Sequence, residues 1–234
     1  CTSAVKHIIH TGNAAPIYKK AYRVPFHQKP IVDELIKDQL DKGIITPSHS
    51  PWASPVVIVP KKSVDGSKKY RFCVDFRAVN AVTVPDVYPL PNIAETLDSL
   101  GGCTMYTTLD LRSGYHQIMV DEESRPKTAF NVPGGHYEYL RMPFGLSTAP
   151  ATFQRLMDSV LMGLKGEKCL VYLDDIILFS KDLASHLSHL SEVLSKLRDV
   201  NLSVQLSKCK FAVGEVNYLG HVITGHGVEP DPGK

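Results

Sequence analysis

In the run VYLDDIILFS, residues 171–180, two adjacent aspartates, Asp174 and Asp175, interrupt an otherwise apolar stretch. Carboxylates are costly to take out of water, and two side by side repel one another. In a straight strand successive side chains face opposite ways, so the pair could not easily share a site. A β-hairpin with Leu173, Asp174 and Asp175 at its tip removes that obstacle, because Asp suits turn positions. An ordinary surface turn carries such a pair equally well. A third carboxylate, Asp110 in YTTLDLRSGY, lies in a second apolar stretch that ends on a Ser-Gly break. Laid beside the hairpin, that strand brings three carboxylates together, which makes physical sense around divalent cations. An all-oxygen donor set suits Mg²⁺, which takes one or two carboxylates plus waters and phosphate oxygens. Two such ions about 3.5–4 Å apart can activate an attacking hydroxyl and stabilise a leaving oxygen. The residues by themselves point to metal-assisted phosphoryl transfer.

The elements that must position these carboxylates are legible as patterns. The first 30 residues show no periodicity and read as an extended arm. PIVDELIKDQLDKGII has apolar residues at 31, 32, 35, 36 and 40, a helical spacing closed by Gly43. SPWASPVVIVPKK and YRFCVDFRAVN, separated by KSVDGSKK, read as a hairpin over residues 52–77 with a basic tip. NIAETLDSLGG predicts a short helix, CTMYTTLDL and YEYLRMPFG strands, and ATFQRLMDSVLMGL a helix. HLSHLSEVLSKLRDVNL is amphipathic, with Leu187, Leu190, Leu194 and Leu197 on one face. A pair of strands around KFAVGEVNYLGHVI closes the chain. Strands and helices mix without strict alternation, which predicts α+β with an antiparallel sheet.

Composition narrows the class. With 234 residues, 43% of them hydrophobic and 21% charged, the chain can build a sizeable core. A formal charge of +2 permits nucleic-acid binding through a local basic patch without demanding it. The cysteines at 1, 73, 103, 169 and 209 form no C-x-x-C pair and read as buried reduced thiols of a cytosolic protein. No stretch has the roughly 18–20 apolar residues of a membrane helix, so no membrane partner is expected. His186 and His189 stand three apart, but no further Cys or His is spaced to complete a zinc site, and both read as exposed helix residues. The start at Cys1 and the end in VEPDPGK read as those of a segment of something longer.

The motifs also carry a resemblance. YLDD in a hydrophobic hairpin, LDLRSGY upstream, and SPWASPVVIVPKK, YRFCVDFRAVN, GYHQIMVDEESRPKTAF, LRMPFGLSTAPATFQ and YLGHVIT stand in order along nearly the whole chain. Together they resemble the reverse transcriptases of Ty3/gypsy-type long-terminal-repeat retrotransposons. The resemblance implies an α+β fold, the fingers and palm of a right-hand polymerase with an antiparallel palm sheet and no thumb. It divides the chain into fingers over 1–84 and 118–148, and palm over 85–117 and 149–234, ending at the primer grip. The implied activity is RNA-directed DNA polymerisation with two Mg²⁺ ions, Mn²⁺ being able to substitute. The implied partners are an RNA or DNA template, a primer, deoxynucleotides and the rest of a Pol polyprotein (thumb, connection, RNase H), with a homodimer as one arrangement. The implied place is the cytoplasm, within virus-like particles. Without a thumb, duplex grip is expected to be weak and salt-sensitive.

Site roles follow from the same resemblance. Asp110, Asp174 and Asp175 are implied as metal ligands, joined by the backbone carbonyl of Leu111. Lys61, or Lys62 one residue on, matches a γ-phosphate lysine, and Arg71 an arginine over the α-phosphate. Tyr115 matches a steric gate beneath the sugar, beside Phe144, which stands where retroviral enzymes carry glutamine. Arg77 and Asn80 are implied on the template side, although Arg77 could equally pair with Asp75. Leu219 and Gly220 in YLGH belong to the primer grip, Gly220 permitting close approach. In SKCK, Lys210 is the candidate general acid. The competing reading is a non-catalytic structural or nucleic-acid-binding module of the same fold.

Overall fold

The computed structural model describes residues 1–61, 69–98 and 100–233. From the N-terminus run β1 (Thr2–His7), α1 (Lys29–Asp41), β2 (Ile45–Pro47), β3 (Ser54–Lys61), β4 (Lys69–Val74) and α2 (Arg77–Val82). Next come α3 (Ile93–Asp98), β5 (Met105–Asp110), β6 (Ile118–Val120), β7 (Phe130–Val132), β8 (Gly135–Tyr139) and α4 (Ala149–Val160). The remainder holds β9 (Cys169–Tyr172), β10 (Asp175–Ser180), α5 (Leu183–Asp199), β11 (Lys210–Val213), β12 (Glu215–Tyr218), β13 (His221–Thr224) and β14 (Gly227–Pro230).

These elements gather into two compact units, each built from separate stretches of chain. One comprises Cys1–Ala4, Val87–Gly114 and Pro150–Lys234, the other Val5–Asp86 and Tyr115–Ala149. The second unit is built on a five-stranded sheet of order β2-β8-β7-β3-β4. All its neighbours are antiparallel except β3 and β7. α1 buries Val32, Ile36 and Gln39, and stops where Gly43 takes φ +58°, a conformation glycine adopts without strain. The N-terminal residues are not wholly an irregular arm: β1 forms there, and the His7 carbonyl accepts from the Asp121 amide.

The strand predicted through residue 77 ends at Val74, and the chain turns helical at Arg77. Asp75 sets that break by accepting from the Arg77 backbone N–H, an alternative to the ladder that Asp side chains offer. On the same strand Cys73 is exposed rather than buried, because it lies on the face of β4 away from Val74.

In the first unit a four-stranded antiparallel sheet of order β11-β5-β10-β9 packs against a three-stranded meander, β12-β13-β14. Between them Tyr106, Ile177 and Phe179 from one sheet meet Val216, Tyr218 and Ile223 from the other. The opposite face of the four-stranded sheet is covered by α5, whose N-cap Asp182 accepts from the Ser185 N–H. The buried stripe of α5 is His186, Val193 and Leu197. Leu187 lies off that stripe and is exposed, and His186, read from the sequence as a surface residue, is completely buried. Turn periodicity leaves the exact facing of a helix open by one position, and here the sheet chose the histidine.

Candidate active site

Asp110 is the last residue of β5 and Asp175 the first of β10, and the antiparallel register places their Cα atoms directly opposite each other. β9 and β10 are the two arms expected of the hairpin. The turn is tighter than expected: only Leu173 and Asp174 lie outside the strands, and Asp175 is paired. Two-residue hairpin turns favour positive φ, and Leu173 takes φ +56°, which costs a residue with a side chain about 1–2 kcal/mol. The fold holds it there with Gln154 of α4, fully buried, whose Oε1 accepts from the Leu173 N–H at 2.8 Å. Asp158 braces Gln154 in turn, accepting from its Nε2 at 2.9 Å and from Lys165 and the Tyr88 hydroxyl. Gln154 stands in the motif ATFQ, where the sequence alone gives it no role. Its signal is a polar residue in the buried stripe Phe153, Leu156, Met157, Val160.

Asp174 is confined from its other side. A Cβ on Gly114 would lie 3.3 Å from the Asp174 Cβ and 3.1 Å from the ring of the fully buried Phe153, so the Ser-Gly break brings backbone up against the turn. The preceding Ser113 takes φ +47°.

Asp110 and Asp175 face a cleft of about 150 Å³ lined also by Lys208, Asn217, Tyr218 and Leu219, among others. Asp175 is exposed, yet partial desolvation of its carboxylate holds the carboxyl above the usual range; the negative charges of Asp174 and Asp110 push the same way and Lys208 opposes them. The Lys208 ammonium lies 3.1 and 3.3 Å from the two Asp110 oxygens. Lys208, not Lys210, is therefore the lysine of SKCK that meets the aspartates; Lys210 is exposed on β11, paired opposite Thr108. The Asp110 carbonyl accepts from the Gln205 N–H at 2.8 Å. The Tyr218 hydroxyl, its ionisation suppressed by burial and by Asp175, donates to the Asp175 carbonyl at 3.2 Å. Leu111 is buried and bridges to Val204, continuing β5 beyond Asp110. Leu219 and Gly220 form the turn between β12 and β13 with φ +49° and +80°, so the glycine answers a backbone requirement, and Leu219 lines the same cleft as Asp110 and Asp175.

In the other unit, the Tyr115 ring stacks on Phe144 at 4.8 Å and 22°, with His116 edge-on to Phe144 at 5.6 Å. Tyr115 is buried and Phe144 is exposed, so Phe144 forms a lid over the tyrosine. Asn80, read as a template contact, spends its amide on the loop beyond Phe144: Nδ2 donates to the Gly145 carbonyl at 2.8 Å and Oδ1 accepts from the Ser147 N–H at 2.9 Å. Arg77 is held by Asp75 through Nε at 2.8 Å and Nη2 at 2.6 Å, while the Tyr22 hydroxyl donates to the same carboxylate. The pairing with Asp75 that the sequence allowed for Arg77 is formed, and the Arg77 side chain stays exposed. Arg71 is exposed on β4 opposite Val59. Lys61 ends β3, its side chain outside the described part, and Lys62 lies outside the described residues altogether.

Among the described residues no group of three His, Cys, Asp or Glu is gathered closely enough to cage a metal by itself. The donor set at the cleft nevertheless fits a hard cation. Its carboxylates are like-charged and crowded, and Mg²⁺ usually takes only one or two carboxylates and completes its shell with waters and phosphate oxygens.

Residues 59–223 match the family profile described as "Reverse transcriptase (RNA-dependent DNA polymerase)", and the chain belongs to that family. Within it, the similarity is to retrotransposon polyproteins. The chain is 49% identical over 234 residues to the "Retrovirus-related Pol polyprotein from transposon 297" of Drosophila melanogaster, covering all of this chain and 22% of that protein. It is 43% identical over 234 residues to the corresponding polyprotein from transposon gypsy of the same organism, covering 99% of this chain and 23% of the relative. The chain thus spans about a fifth of the length of these relatives. Among solved structures, the foamy viral protease-reverse transcriptase in complex with an RNA/DNA hybrid superposes with a TM-score of 0.89 at 28% identity. That match covers 99% of this chain and 31% of the other. The fold is the fingers-and-palm α+β architecture expected from the motifs.

Proposed function

We propose that the chain is the polymerising part of an RNA-directed DNA polymerase, joining deoxynucleotides to a primer 3′-hydroxyl along an RNA or DNA template. The observation that carries this is the pairing of Asp110 opposite Asp175, with Asp174 in the adjoining turn, at the rim of a cleft shared with Lys208 and Leu219. In the reaction a bond forms between the primer 3′-oxygen and the α-phosphorus. The bond from that phosphorus to the pyrophosphate oxygen breaks, and the 3′-hydroxyl proton is released. Asp110, Asp174 and Asp175, with the Leu111 carbonyl, would hold two Mg²⁺ ions (or Mn²⁺), which when bound supply the charge that lowers the hydroxyl pKa and neutralises the leaving oxygen. The chain's own part is positioning and a preorganised electrostatic field.

Further roles are proposed on the same reading. Tyr115, braced by Phe144, rejects a ribose 2′-hydroxyl by steric clash. Arg71 and Lys61 engage the triphosphate, and the turn at Leu219 and Gly220 supports the primer end. Arg77 and Asn80 support the template side, Arg77 as an Asp75-bound unit and Asn80 alongside the 144–147 loop that it holds. The working partners are a template-primer duplex, deoxynucleotides and the rest of a Pol polyprotein, as a monomer or homodimer, in cytoplasmic virus-like particles. The foamy viral enzyme's complex with an RNA/DNA hybrid supports the nucleic-acid partner.

Primer extension on a primed RNA template with Mg²⁺ and deoxynucleotides tests the reading. The parent chain, or a longer stretch of the same polyprotein, should extend the primer, and Asp174→Asn/Asp175→Asn should not. No extension by either parent form would leave the non-catalytic, nucleic-acid-binding reading in its place.

A further inference from the structure

His186 is a buried titratable residue for which the proposed chemistry has no use. It is fully buried at the start of α5, beneath the face of the sheet opposite the aspartates. Its Nε2 lies 2.7 Å from the Thr107 hydroxyl on β5, and its Nδ1 lies 2.7 Å from the Ser180 hydroxyl on β10. Thr107 Oγ1 also accepts from the Ala212 N–H at 3.0 Å, on β11, and Ser180 Oγ lies 3.3 Å from the Asp182 carbonyl. One imidazole therefore ties three adjacent strands, two of which end on the carboxylates.

Hydrogen-bond accounting selects one arrangement. The Ser180 hydroxyl donates to the Asp182 carbonyl, His186 Nδ1–H donates to Ser180, and the Thr107 hydroxyl donates to Nε2 while accepting from Ala212. Both ring nitrogens and both hydroxyls then have partners, each hydroxyl donating once and accepting once. The register makes the link mechanical. Thr107 lies three residues before Asp110 on β5, and its partner Leu178 lies two before Ser180 on β10. A slip of one strand past the other separates Asp110 from Asp175 and stretches the Thr107–His186–Ser180 span at the same time. His189 adds a second tie from α5, its Nδ1 3.2 Å from the Phe179 carbonyl.

We infer that His186 is a positioning residue: through Thr107 and Ser180 it locks the register of β5 against β10 and so sets the spacing of Asp110 and Asp175. It touches no substrate. The role in catalysis rests on the polymerase reading above, whereas the register lock does not.

Three variants test it, each checked for melting temperature. His186→Leu removes both bonds, His186→Gln keeps the reach to Thr107, and His186→Asn keeps the reach to Ser180. In primer extension His186→Leu should lower kcat by about tenfold or more with KM for deoxynucleotide within about twofold, since sub-ångström misplacement acts on the chemical step. Calorimetric Mn²⁺ binding should weaken in parallel. His186→Gln and His186→Asn each keep one arm of the span and should each recover only part of both, because the lock needs β5 and β10 tied together. A folded His186→Leu with unchanged kcat and Mn²⁺ affinity overturns the inference. So does a Gln or Asn variant that restores kcat and Mn²⁺ affinity to the parent's values, since one arm alone does not tie the two strands. Amide hydrogen exchange over 105–110 and 175–180 is read alongside. Faster exchange in His186→Leu, restored only in part in His186→Gln, supports the lock even if the parent extends no primer, in which case the polymerase reading alone fails. Unchanged exchange overturns the lock. Should His186→Leu not fold, Ser180→Ala carries the same comparison with a single bond removed.

Discussion

At the level of single residues, charge decides what the cleft does. Asp110, Asp174 and Asp175 repel one another in the absence of a cation beyond Lys208, and Lys208 is a partly exposed partner whose pairing is worth little by itself. Asp175→Asn should therefore abolish primer extension yet raise the melting temperature in EDTA, by about 1–3 °C for a chain of this size, as read by calorimetry. A fall in melting temperature would mean that the carboxylate is satisfied in some other way. Tyr115 is set by sterics rather than charge, its ring fixed between the protein interior and Phe144. Tyr115→Ala should raise incorporation of ribonucleotides relative to deoxynucleotides by about tenfold or more, as clash is the cheapest way to reject an added hydroxyl. Unchanged selectivity removes the gate from Tyr115.

At the level of elements, the β9–β10 hairpin presents Asp174 only because α4 lends it Gln154. The turn has an unfavourable Leu173 φ and a backbone N–H directed at a buried amide oxygen. Gln154→Leu leaves that N–H without its acceptor and frees Asp158 of one donor, at a cost of about 1–3 kcal/mol in chemical denaturation. The same variant should lose extension activity beyond what its stability explains, because the turn can then relax toward ordinary φ. Normal stability with full activity would show that the turn holds itself.

At the level of the whole molecule, buried histidines set the acid limit. Burial lowers His7 and His116 from 6.5 to about 4, with Asp86 opposing at His7, and Arg141 and Lys42 adding to the lowering at His116. His186 is lowered as well, by burial and by His189. In each case the unfolded chain binds protons more readily than the folded one, so the stabilising contribution is present above pH 6.5 and drains away as pH falls toward about 4. Melting curves at pH steps from 7.5 to 4 should show this decline beginning near 6.5, before ordinary carboxylates titrate. A flat profile down to pH 5 contradicts the burial of these rings.

The amino-acid sequence by itself determined what is local. The apolar arms of VYLDDIILFS turn back on each other within ten residues, α1 stops at Gly43, and the ordered motifs establish the family, because each depends on neighbours in the chain. Only the tertiary structure decided which distant residues meet. That Asp110 stands opposite Asp175 is a matter of strand register, set by what each face of β5 and β10 buries. That Lys208 rather than Lys210 reaches Asp110, that Gln154 holds the turn, and that Asn80 and Arg77 are spent on Gly145 and Asp75 are likewise outcomes of packing. His186 shows the reason most plainly. A histidine between leucines on a helix is polar or buried according to what lies against it, and here two hydroxyls on neighbouring strands make the interior the place where its nitrogens are satisfied.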